Sequence, residues 1–466
     1  METIAKKKVY FTGLISIALL YPLSSHADLN NVPGMNEIQA RTAAMIQDIC
    51  PKMVTISDEL TESQTSLLEK CGALVHTSNA QQESGRTTLA LPYNEGELRD
   101  ALQDIAHEEL STHGTLSTEA LDTHVANIAS RLSAIHRGNR LAASSGVSLS
   151  LLGVPSEDYA QWQDDNLPIT GGGAGSDSAS GLSMYINGKF NFGEKEATSR
   201  EDAFDYDAVG VTIGGDMQIS DQLLVGLGLG YSSSETDLQW DGDNASSETY
   251  SLNLYASKYL KNDFYIDGIF TFGQGDYESE RHITFAQNVV TDTISGDTEG
   301  QQISLNLGIG KDFQLSASGV SVTTYANVGY SDLTIDAYSE ESANASALEL
   351  QVQEQSITSL TSTLGVQISD ARSFSQGVWV PQMMIEYHHE FKDDSRNINA
   401  RYVNDPFGDS FFSVSTDDAD SNYFGLGLGA SVVLQNGQQL FAYYERTLGL
   451  DNLDDNLVTF GYRGEL

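Results

Sequence analysis

The residues able to do chemistry are few, and each is read against its setting. Phe407-Gly408-Asp409-Ser410 matches the start of a Gly-Asp-Ser-Leu esterase signature. A nucleophilic serine needs a strand-to-helix turn, an oxyanion hole and a triad histidine. This tetrapeptide falls in a predicted long loop, so it is read as solvated loop and no catalytic residue is assigned. His388 and His389 are adjacent in a predicted strand, where neighbouring side chains point to opposite faces, so one metal ion cannot easily use both. Asp237, Asp241, Asp243 and Asn244 form one acidic group, and Asp417, Asp418 and Asp420 another. Divalent cations bridging them to lipopolysaccharide are one use, but the spacing fits no EF-hand. The simpler reading is solvation and self-repulsion that holds loops open. No Gly-x-Ser-x-Gly, phosphate loop or His-Glu-x-x-His occurs, and no cofactor or resident metal is expected.

The charge balance narrows the partners. The chain of 466 residues has 65 Asp+Glu against 24 Lys+Arg, a formal charge of −41, which argues against a nucleic-acid partner. Lys6-Lys7-Lys8, the apolar stretch Val9 to Leu20, Pro22 and the small pair Ser25 and Ala27 make residues 1–27 a predicted secretory signal peptide. In an exported chain, the two cysteines, Cys50 and Cys71, are most simply one disulfide.

Residues 28–137 have helical spacing. Ile38, Met45 and Ile49 mark a first helix expected to stop at Pro51, and Leu60, Leu67, Leu68 and Cys71 a second. Asn94 caps a third, with Glu95 and Glu97 in its first turn. Ser117 is predicted to cap a fourth, whose Leu121, Val125, Ile128, Leu132 and Ile135 recur at spacings of four and three until Gly138. The sum is a small helical domain joined by the disulfide. Residues 138–181, rich in Gly, Ser and Asp, read as a flexible linker.

From Leu182 onward the period is two. Leu223, Val225, Leu227, Leu229 and Tyr231 alternate with Gly226, Gly228 and Gly230, and Phe424, Leu426 and Leu428 with Gly425, Gly427 and Gly429. About twelve such segments start near residues 182, 205, 222, 247, 263, 298, 320, 353, 378, 420, 438 and 454. Near Leu440 to Arg446 the outward parity is open. Tight turns around residues 220–221, 261–262 and 435–437 alternate with long loops around 241–243, 279–297, 338–352 and 393–419. That alternation is the pattern of an outer-membrane barrel with short periplasmic turns. The fold class is therefore mainly β: a twelve-stranded antiparallel transmembrane barrel over residues 182–466, preceded by a small α-helical domain.

Several pieces of this region resemble the autotransporter family of type V secretion. They are Tyr185 to Gly193, Tyr206 to Gly215, Leu224 to Ser234, Tyr250 to Ser257, and Pro381 with the His389-Glu390-Phe391 run. The resemblance implies export of the N-terminal segment through the barrel, insertion by the barrel-assembly machinery after escort by periplasmic chaperones, and contact with outer-membrane lipid and lipopolysaccharide. Val458, Phe460 and Tyr462 hold the register of the family's terminal strand, whereas Gly464 and the final Leu466 depart from its terminal aromatic pattern.

Two arrangements remain open: a short helical domain shown at the surface, or a barrel passing small solutes with a periplasmic helical plug. The helix from Ser117 to Arg137 is about 31 Å long at 1.5 Å per residue. Its apolar stripe wants an apolar partner and a barrel lumen is polar, so it is read first as a bundle helix. A pore helix, a family feature, is the alternative, with the linker as a further candidate for the pore.

Overall fold

The computed structural model describes residues 29–82, 89–106, 109–138, 182–238, 243–285, 290–315, 320–408, 411–434 and 438–465. The predicted signal peptide, most of the predicted linker, Asp241, Asp409, Ser410 and Leu466 lie outside them.

Twelve long strands form the body: β1 (Leu182–Lys195), β2 (Phe204–Ser220), β3 (Leu223–Leu238), β4 (Asn244–Tyr259), β5 (Phe264–Phe285), β6 (Val290–Leu315), β7 (Val320–Ile335), β8 (Gln355–Asp370), β9 (Gly377–Glu390), β10 (Asn422–Leu434), β11 (Gln439–Leu448) and β12 (Leu453–Glu465). Each pairs antiparallel with the next, and β12 returns to β1, so the sheet closes into a barrel. At that seam Phe190 faces Val458, Gly188 faces Phe460 and Ile186 faces Tyr462. Closure leaves no unpaired edge, which a strand in hydrocarbon cannot tolerate.

The alternation determines which face meets lipid. Leu229 is 61% exposed and Leu428 56%, with Leu227, Phe424 and Leu426 on the same outer surface, while the intervening glycines face inward. In β11 the open parity resolves: Leu440 and Tyr444 face out, and Glu445 faces the lumen.

Strand starts lie within three residues of the sequence expectation except for β6, which begins at Val290 rather than near 298. The expected loop 279–297 is instead a continuation of β5 and β6, paired out to Phe285 and Val290. This stretch stands beyond the apolar band, so its outer face is polar and carries no membrane signal. The expected loops 338–352 and 393–419 also hold structure, a four-stranded sheet built from Tyr338–Ser339, Leu350–Val352, Asn397–Tyr402 and Phe412–Ser415.

That small sheet exists because helices cover it. Helices α1 (Glu37–Val54), α2 (Glu62–Gln81) and α3 (Glu95–Asp104) bury Ile46, Ile49, Leu67, Leu74, Leu98 and Leu102 in one core with Ile283, Leu350, Val352, Ile398 and Tyr402. All three helices start with reciprocal capping boxes, Asn36 with Gln39, Thr61 with Gln64 and Asn94 with Glu97. Pro51 does not end α1, which continues to Val54; the fully buried Met53 anchors the last turn. A disulfide joins Cys50 to Cys71, with Cα atoms 6.1 Å apart. Replacing both cysteines by serine is expected to lower the stability of this cap by about 3 kcal/mol, read as earlier proteolysis of α1 and α2 with the barrel intact. Unchanged proteolysis would remove the disulfide from the account of the cap.

The fourth helix corrects the sequence reading. α4 (Glu109–Gly138) is not a bundle helix; it fills one side of the barrel. Ser117 is no cap either, since the helix starts two turns earlier and the Ser117 hydroxyl accepts hydrogen bonds from Tyr277 and Gln302. The expected bundle therefore has three helices, resting on the long-loop end of the barrel.

Candidate functional site

The lumen is where polar chemistry concentrates. At its 30 residues, α4 spans about 45 Å, more than the roughly 30 Å hydrocarbon layer. Near its start, Leu110 joins the core of the cap and the His113 ring lies 5.7 Å from that of Tyr338, while His136 in its last turn meets Ser257 and Asp267 beside the short connection between β4 and β5. It thus runs through the barrel from the long-loop end to the short-turn end.

Its apolar stripe finds a partner inside the lumen. Ile128, Leu132 and Ile135 pack on Tyr185, Leu224, Tyr255 and Ile269, a local apolar patch in an otherwise polar wall. Inward glycines of β2 and β3 make the groove. A β-carbon at Gly210 would fall 2.1 Å from Thr123 Cγ2, and one at Gly230 would fall 2.5 Å from His124 Nδ1. Only glycine permits this approach. The glycine stripe opposite the apolar face of β3 was a readable sign of a helix groove.

A second, polar stripe of α4 is matched group by group. Asn127 donates to Thr212 Oγ1 at 3.1 Å, and its carbonyl accepts from Asn187 at 2.9 Å. Arg131 donates to both oxygens of Asp216 at 2.6 and 2.9 Å, with both side chains only 3% exposed. Tyr255 donates to the same carboxylate at 3.1 Å, and the guanidinium carbon lies 5.2 Å from the centre of the Tyr185 ring. His136 Nε2 sits 3.0 Å from both Ser257 Oγ and Asp267 Oδ1, and its ring stacks on Tyr265 at 3.7 Å between centroids. A fork of two charge-assisted bonds fixes rotation and depth together. Asn127, Arg131 and His136 were visible in the sequence only as a polar stripe on α4, and Asp216 on β2 carried no signal of its own.

Beside this docked face, between α4 and a wall that runs from β5 through β12 to β1, is a cavity of about 1380 Å³. Its outer mouth is crossed by ion pairs. Lys195 pairs with Glu201 and, at 3.0 Å, with Asp417; Arg200 reaches Asp418 at 3.1 Å and Glu37 of α1 at 3.6 Å.

The acidic loops are therefore tied down, not held open by repulsion. Thr198 donates to Asp417, and the Asp451 amide donates to Asp420. Asp237 and Asn244 face each other as a pair at the ends of β3 and β4. Asp243 accepts from the His282 amide at 2.6 Å, and burial lifts its carboxyl to about 6 despite that bond. Among the described residues, no group of three His, Cys, Asp or Glu side chains has metal-binding geometry. His388 and His389 do diverge: His388 lines the cavity and lies 3.1 Å from Glu386, while His389 points outward toward Phe391. Gly408 sits at φ +71° in an outer loop, with Phe407 exposed beside it. Phe460 and Tyr462 point outward on β12 with Val458 on the same face, and the Phe460 ring covers Gly188 across the seam.

A family model described as Autotransporter beta-domain matches residues 184–445. The chain is similar to an uncharacterized protein in the trpE-trpG intergenic region of Pseudomonas putida, 24% identical over 204 residues that make 43% of this chain and 32% of that one. It is also similar to esterase EstA of Pseudomonas aeruginosa, 24% identical over 217 residues, 45% of this chain and 31% of that one. The chain spans about a third of the length of these relatives. Among solved structures it is similar to the translocator domain of autotransporter NalP from Neisseria meningitidis, at 16% identity and a TM-score of 0.49, covering 67% of this chain and 97% of that one.

Proposed function

Because the chain belongs to the autotransporter β-domain family and so to the outer membrane, we propose that it exports its own N-terminal segment through the barrel and keeps α1 to α3 on the cell surface as a fixed cap. The observation that carries this reading is the path of α4. Its start lies among the long loops and its end among the short turns, which in outer-membrane barrels face the periplasm. A chain threaded in this sense leaves α1 to α3 outside. Retention is supported by the shared core: Leu350, Val352, Ile398 and Tyr402 of the barrel loops bury against the helices, so a released cap would expose both faces.

The signal peptide delivers the chain to the periplasm, where chaperones keep it unfolded until the barrel-assembly machinery reads the last strand. Val458, Phe460 and Tyr462 present the outward residues for that step. Lipid and lipopolysaccharide then surround the finished barrel. No enzymatic role is assigned to the chain. The esterase in the name of the Pseudomonas relatives belongs to those proteins, and Gly408 here occupies an outer loop of the barrel.

The competing reading, a solute channel with a periplasmic helical plug, would need the helices at the short-turn end. An epitope inserted beside Gly34 distinguishes the two. It is expected to bind antibody on intact cells; binding only after the outer membrane is broken would sink the export reading.

A further inference from the structure

We propose that the outer wall of the barrel holds one anionic glycerophospholipid, its phosphate between Lys258 and Lys311 and an acyl chain in a notch floored by Ala256 and Gly268. The proposal rests on the outer-membrane placement of the barrel and stands whether or not the N-terminal segment is exported. The notch is an apolar hollow of about 570 Å³ on the lipid-facing side of β2 to β6, walled by Met217, Leu227, Leu254, Phe270 and Leu305. It exists because outward side chains become small where the rest of the band is large: Ala256 pairs with Gly268, and Gly268 with Leu307. Nothing in the protein demands glycine at that point. A β-carbon at Gly268 would meet only Leu307 Cδ2, at 3.6 Å, whereas one at the inward Gly226 would fall 2.1 Å from the Tyr255 ring. A hollow in a hydrocarbon face forfeits dispersion contacts unless something fills it, and here the filler comes from the lipid side.

Two lysines on the same outer surface set the head-group end. Lys258 pairs with Ile266 and Lys311 with Phe264, successive outward positions of β5, and both stand toward the short turns from the notch. Strand spacing of about 4.8 Å and a rise of about 3.4 Å per residue put their Cα atoms about 12 Å apart, a gap that two extended side chains and a phosphate between them close. Lys311 Nζ lies 4.8 Å from the ring centres of both Phe264 and Phe313, and Leu315 is exposed still nearer the end of β6. This ammonium is therefore within the apolar band, where a cation on the lipid face is costly unless an anion meets it. Among the described residues neither lysine forms an ion pair. The adjacent Asp312 faces the lumen instead, where Thr323 donates to it at 2.6 Å. On a chain with a formal charge of −41, this unpaired basic couple fits an anion. Short turns face the periplasm, so the anion is the phosphate of an inner-leaflet glycerophospholipid and not that of lipopolysaccharide.

The test is native mass spectrometry of the full-length protein in detergent micelles, given phosphatidylglycerol or phosphatidylcholine with the same acyl chains, with folding checked by heat-modifiable migration. The native chain is expected to retain one phosphatidylglycerol and to prefer it by roughly thirtyfold, the contribution of two lysines near an anionic surface. Lys258→Gln/Lys311→Gln is expected to bring that preference toward unity. Lys258→Gln alone should lower it by about fivefold, which gives a separate reading should the double variant fail to assemble. Gly268→Leu fills the notch and is expected to weaken retention of both lipids while leaving the preference between them. Equal retention of the two lipids by the native chain, a preference that survives loss of both lysines, or retention indifferent to Gly268→Leu would overturn the proposal. So would displacement of the retained lipid by an equimolar amount of lipopolysaccharide, which would make that lipid the occupant, or dimers that vanish in Gly268→Leu, which would make it a second copy of the chain.

Discussion

Replacing Arg131 by methionine is expected to unseat α4. The change leaves the Asp216 carboxylate 3% exposed with only the Tyr255 hydroxyl for company. Removing one partner of a buried ion pair costs about 3 to 5 kcal/mol, because the remaining charge has lost its compensation. Hydrogen exchange along α4 should then speed up by more than about a hundredfold, while the barrel strands keep their protection. Adding Asp216→Asn removes the stranded charge and is expected to recover most of the loss, since Ile128, Leu132 and Ile135 still dock on their apolar patch. If the single variant exchanges like the native chain, the ion pair does not hold the helix.

The second large effect is covalent. The β-carbon of Thr123 lies 3.5 Å from the position a β-carbon would take at Gly210, within the span of natural disulfides. The Thr123→Cys/Gly210→Cys chain is expected to cross-link nearly completely on oxidation and to shift on a non-reducing gel. The epitope beside Gly34 should remain accessible on intact cells. A helix packed in a bundle outside the barrel would give no such bond. Cross-linking together with a hidden epitope would place α4 in the lumen yet leave the cap unexported. Gly210→Leu is the opposite manipulation: its side chain would occupy the space of Thr123 Cγ2 and push the helix off β2.

Which parts of this arrangement were legible follows from what each residue touches. Strands such as Leu223–Leu238 and Asn422–Leu434 meet lipid on one face and a crowded lumen on the other, so the contrast of large and small side chains is written into every second position. The helices of the cap announce themselves through the apolar spacing of Ile38, Met45 and Ile49 and of Leu67, Leu68 and Cys71, and through the Asn94 cap, because these signals are local. The seat of α4 was hidden because an apolar stripe looks the same whether its partner is another helix or Tyr185, Leu224, Tyr255 and Ile269 of a barrel wall. His124, Asn127 and Arg131, at spacings of three and four beside that stripe, were the discriminating sign: in a bundle they would face water. The sheet built from Leu350–Val352 and Asn397–Tyr402 was illegible for another reason. Its strands are three and six residues long, and their burial depends on helices hundreds of positions away.

That distance has a kinetic meaning. Arg41 of α1 donates to the carbonyl of Ser415 across 374 positions, and the core of the cap draws on the extended ends of β5 and β6 and on the connections between β7 and β8 and between β9 and β10. Contacts so remote in sequence carry the full entropy of loop closure and form slowly. The cap is therefore the last unit to mature: its floor is assembled only when hairpins from separate sectors of the cylinder have been brought into register. A cylinder stalled with a missing stave leaves that floor incomplete and the three helices open to digestion, so the long-loop end of the molecule reports on whether the embedded end was finished.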